Sequence, residues 1–76
     1  MIHDENGLLE PLALLRLARK EAQFAWRQMR EAAEDAAFMA QRRKGAEPME
    51  QVIARHAAKR DRYDAAIAAL EALNAA

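Results

Sequence analysis

The four residues Gly45-Ala46-Glu47-Pro48 interrupt an otherwise unbroken succession of helix formers, and their position decides the fold. Between Pro11 and Lys44 there is no further Gly or Pro; Ala, Leu, Arg, Glu, Gln and Met dominate, all with high helix propensity. Gly45 suits the left-handed position that follows a helix, and Pro48 suits the first helical position of the next one. Arg42, Arg43 and Lys44 then complement the negative end of the first helix dipole, and Glu47 and Glu50 the positive end of the second. Pro11 fits the first turn of helix 1, with Glu10 at its positive end. The reading is an all-α chain forming a single domain over residues 1–76. An irregular lead-in occupies 1–8, one helix runs from about 9 to 44, a turn covers 45–47, and a second helix runs from about 48 to 74. At 1.5 Å per residue these helices measure ~50 and ~40 Å. A link this short makes them antiparallel neighbours, a two-helix hairpin.

Two helices alone cannot enclose a core, and composition closes most routes by which small chains compensate. The 76 residues include no Cys and two His, which excludes a disulfide framework and leaves no set of ligands for structural zinc within one chain. Association with a second copy remains, and the sequence predicts a homodimer in which two hairpins form a four-helix bundle. Alanine supplies 20 of the 76 residues, so the apolar fraction overstates hydrophobicity and the few large side chains carry the argument.

On helix 1 a seam runs Leu8, Leu15, Ala22, Met29, Ala36, with Ala18, Ala25, Ala32 and Met39 three residues on; Leu12, Trp26, Ala33 and Ala40 widen it. A second stripe of Leu14, Leu17, Phe24 and Phe38 falls about 100 to 160° around the helix. One partner helix cannot cover both. The seam of helix 2 is Met49, Val52, Ile53, His56, Arg60, Tyr63, Ala66, Ile67, Leu70 and Leu73. With the pivot at Gly45, facing residue numbers total about 91. His56 then meets Asp35, Arg60 meets Glu31, Tyr63 meets Gln28 and Ile67 meets Phe24; the first two pairs make an interhelical ion-pair girdle that sets register. The residues expected at a protein interface are Leu14, Leu17, Phe24, Trp26, Phe38 and Tyr63.

The solvent side of helix 1 carries a stripe that includes Arg16, Lys20, Arg27, Arg30 and Lys44, which could track a phosphate backbone. Against this, Lys plus Arg equals Asp plus Glu, and no aromatic is interleaved to stack bases. The expected architecture resembles, in shape alone, the Rop-type dimeric bundle of small plasmid RNA-binding proteins, which implies nucleic acid as the alternative partner. Ser, Thr and Cys are absent, so the common nucleophiles are missing; no catalytic, cofactor-binding or metal-binding residues are assigned. No stretch approaches the ~18 apolar residues of a membrane span. Asp4 and Glu5 stand where a secretory leader would carry cations, and the expected location is the cytoplasm. The functional expectation is a non-enzymatic helical module that self-associates and binds a partner protein, as adaptors, assembly chaperones and phage-type regulatory proteins do.

Overall fold

The computed structural model describes residues 9–75. The expected lead-in over residues 1–8, with His3 and Leu8, lies outside the described residues. The elements are α1 (Leu9–Glu34), α2 (Ala36–Gln41) and α3 (Met49–Ala75), and no strand occurs among the described residues. The long helices α1 and α3 pack along each other, with α2 and its flanking loops connecting them.

The first helix is shorter than expected. It ends at Glu34, because Asp35 leaves the helical region (φ −88°, ψ 108°) and caps a new helix instead. Its carboxylate accepts a hydrogen bond from the Phe38 backbone N–H at 3.1 Å, and its carbonyl accepts from the Met39 N–H at 3.0 Å. This is how an N-cap Asp satisfies donors that a helix start leaves unpaired. Helix α2 lasts six residues before Arg42 closes it in extended conformation. The Ala46 N–H then bonds to the Arg43 carbonyl at 3.0 Å, with Gly45 at φ +87° as third residue of the turn. That is the type II turn, whose third position requires positive φ and hence favours Gly. Gly45 thus serves a turn beyond α2 rather than the end of a 36-residue helix. Pro48 lies one place outside α3, its carbonyl accepting from Val52 N–H at 3.2 Å, so it acts as the cap and not as the first helical residue.

Glu47 ties this connection to α3. Its carboxylate holds Arg55 Nη1 at 2.6 Å, while its carbonyl accepts from Arg42 Nη2 at 2.7 Å. The break at Asp35 leaves α1 with 26 residues against 27 for α3, so the two arms match in length.

The apolar side chains buried among the described residues are Leu12, Ala22, Met49 and Val52. Leu15, Ala18, Ala25, Met29 and Ala32 are half-buried, as the seam of α1 requires. Ala36, Met39 and Ala40 are exposed, because they belong to α2 and no longer continue that seam. The seam of α3 is half-buried or buried from Met49 to Leu70, but Leu73 is exposed. The molecule is a rod of 53 × 22 × 17 Å with a radius of gyration of 17.0 Å. A compact chain of this length would have roughly 11 Å.

Candidate interaction surface

Register follows from where α1 ends. Arg19 Nε donates to Asp64 Oδ1 at 2.8 Å, and Arg60 Nη1 donates to Gln23 Oε1 at 3.3 Å. The residue numbers of each pair total 83, not 91. The hinge is centred between Glu34 and Met49 rather than at Gly45, which slides α3 along α1 by about two turns. The expected girdle does not form. Asp35 caps α2 instead of meeting His56, and Arg60 meets Gln23 rather than Glu31. A third cross-hairpin bond joins Arg16 Nη2 to Glu71 Oε2 at 2.8 Å.

Arg60 occupies a core position for a reason periodicity does not reveal. Its guanidinium lies 4.5 Å from the centroid of the Trp26 ring, and Arg30 lies 4.8 Å from the same ring. The cation is attracted to the π face while its stem packs in the seam. Gln23 and Asp61 take its N–H groups, so a side chain only 19% exposed keeps hydrogen-bond partners. Trp26 is therefore half-buried inside the hairpin and engaged by two guanidinium groups. Tyr63 is also half-buried. It lines a cleft of about 460 Å³ with Leu15, Arg55, Lys59, Arg62 and Ala66.

The remaining interface candidates lie open. Leu14 is 61% exposed, Leu17 56% and Phe24 60%. At ~100° per residue Leu17 and Phe24 lie about 140–180° from Leu15, Ala22 and Trp26, and hence away from α3, while Leu14 lies about 80–120° from them, on the flank. Leu17 and Phe24 line a shallow depression of about 360 Å³ together with Lys20 and Glu21. Neither Lys20 nor Glu21 forms an ion pair among the described residues. Phe38 and Met39 are exposed as well, but on α2, beyond the Asp35 break and out of line with the α1 stripe.

The basic stripe is similarly divided. Arg16 is paired with Glu71, Arg30 is stacked on Trp26, and Lys44 sits in the turn after α2 instead of on a continuing helix. Lys20 and Arg27 stay exposed on α1. The sequence reading missed the Arg19–Asp64 and Arg16–Glu71 pairs and the Glu47 clamp. The first follows once the hinge is centred between Glu34 and Met49, whereas Arg16–Glu71 falls midway between the two registers and the Glu47 contacts do not depend on register.

Among the described residues there is no group of three or more His, Asp or Glu side chains that could hold a metal ion. No helix there is long and apolar enough to cross a membrane. No protein-family model, curated protein or solved structure matches the chain.

Proposed function

We propose that this chain is a non-enzymatic helical interaction module, in which two hairpins associate into a four-helix assembly that holds a partner protein. The observation that carries this reading is the exposure of Leu14, Leu17 and Phe24 on α1, with Leu17 and Phe24 on the side that faces away from α3 and Leu14 on its flank. Large apolar groups aligned on one face of a helix, with nothing of the same chain over them, mark a docking surface. The apolar Phe38 and Met39 on α2 lie apart from the α1 row and form the surface left for a partner protein.

Sedimentation at tens of micromolar tests the self-association. The expected species is a dimer, and Leu17→Glu or Phe24→Glu shifts it to monomer while helicity by circular dichroism is largely kept. A well-folded wild-type monomer at that concentration would dismiss the reading. The nucleic-acid alternative loses support from the engagement of Arg16 and Arg30 within the hairpin. Salt-sensitive retention of structured RNA that is abolished by Lys20→Glu with Arg27→Glu would restore it.

A further inference from the structure

We infer that the cleft over Tyr63 binds a short run of single-stranded nucleic acid, with phosphates on Arg55, Lys59 and Arg62 and a base against the tyrosine ring. The cleft is complete within one hairpin, so this inference is independent of self-association. Charge, shape and hydrogen-bonding capacity each narrow the ligand.

Charge on α3 is segregated. At ~100° per residue Arg55, Lys59 and Arg62 fall within an arc of about 60°, while Glu50, Asp61, Asp64 and Glu71 lie on the far side of the helix. The acidic side runs beside cations of α1: Asp64 takes Arg19 and Glu71 takes Arg16. The basic side has no such neighbour. Across the hairpin α1 places Ala18 and Ala25 there, both half-buried, with Glu21 at the edge. Lys59 and Arg62 are exposed and form no ion pair among the described residues, and Arg55 gives Nη1 to Glu47. Three cations thus line one cleft, and no carboxylate is among its lining residues.

Shape selects an unpaired strand. The three cations stand on successive turns of α3, at levels about 0, 6 and 10.5 Å along its axis. Spread in this way, they suit a chain that repeats its charge along a line better than a single phosphate. Beneath them Leu15, Tyr63 and Ala66 are half-buried and line the same cleft of about 460 Å³. A stacking surface therefore lies beside phosphate donors, the combination by which proteins hold single strands. Bases of a duplex are already stacked on one another, so an unpaired base is the one that can reach the ring.

Hydrogen-bonding capacity disfavours an extended acidic peptide. Guanidinium and ammonium groups donate and do not accept, and the Tyr63 hydroxyl is the one side-chain acceptor lining the cleft. The backbone of α3 is bonded within its own helix. Peptide N–H groups would find no partners there. Phosphodiester oxygens only accept, and charged donors match them.

Fluorescence anisotropy with a labelled oligothymidylate of about ten nucleotides tests this on the whole chain. The expected result is saturable binding at low salt, with log K falling against log salt at a slope of about −2 for three phosphates. Lys59→Glu with Arg62→Glu should abolish binding. Lys20→Glu with Arg27→Glu, on the other side of α1, should leave it unchanged. Tyr63→Leu should weaken the oligonucleotide about tenfold and an abasic strand of equal length not at all, while Tyr63→Phe binds as wild type does. Circular dichroism separates lost binding from lost fold, and comparing the two strands on the wild type reads the role of the base without any substitution. No binding by the wild type at low salt overturns the proposal, as does binding that survives reversal of Lys59 and Arg62. An abasic strand held as tightly as the oligonucleotide overturns the placement of a base on Tyr63. Polyglutamate that competes equally well would make the ligand an acidic protein segment and overturn the assignment to nucleic acid.

Discussion

Asp35 changes the molecule more than any other residue, and its effect is local. It sits among Ala32, Ala33, Ala36 and Ala37, where propensity alone favours a continuous helix. Its side chain offers the backbone a competing acceptor, and the Phe38 N–H takes it. This competition explains why the break was not legible from Gly and Pro. A single Asp followed by Ala, Ala and Phe lacks the Glu or Gln that completes a capping box, so the signal is faint. Replacing Asp35 by Ala removes the cap and adds a strong helix former. The expected outcome is a loss of about 1 kcal/mol in unfolding free energy by urea titration, with Asp35→Asn close to wild type. Hydrogen exchange should speed at the Phe38 amide in the Ala variant only. Equal stability of the two variants would show that capping does not hold the break.

At the scale of elements, the two long helices and most of their seam residues were legible. Leu12, Ala22, Met49 and Val52 are buried, and all four lie on the seams that periodicity drew. Register was not legible, because it depends on the hinge and not on the pattern. Alanine-rich seams specify stagger weakly, since neighbouring layers differ little in size. The polar contacts across the hairpin therefore do more to set stagger here than they would in a Leu-rich seam. Arg19 reaches both oxygens of Asp64, at 2.8 and 3.5 Å, and both side chains are partly exposed. A double-mutant cycle with Arg19→Ala and Asp64→Ala should give a coupling of roughly 0.2–1 kcal/mol, reduced by salt. The same cycle on Glu31 and Arg60 should give no coupling, since Arg60 instead stacks on Trp26 and bonds Gln23. Coupling in the second pair and none in the first would return the hinge to Gly45.

For the whole molecule, the question is whether a rod with four buried apolar side chains among its described residues holds itself together. Small chains bury only about 60% of the surface their unfolded state exposes, and an elongated one buries less. If the α1 row is covered by a second copy, folding and association are one equilibrium, and stability depends on protein concentration. Each tenfold rise in concentration then adds about 1.4 kcal/mol per dimer at the melting midpoint. Spread over the unfolding entropy of two 76-residue chains, this raises Tm by about 3–5 °C. Scanning calorimetry from a few micromolar to a few hundred should record that slope for the wild type. Phe24→Glu should melt lower and at one temperature throughout, because its unfolding no longer involves a second chain. A wild-type Tm indifferent to concentration, alongside an unchanged Tm in Phe24→Glu, would mean that the hairpin is stable alone and that the exposed row on α1 contributes nothing to its folding.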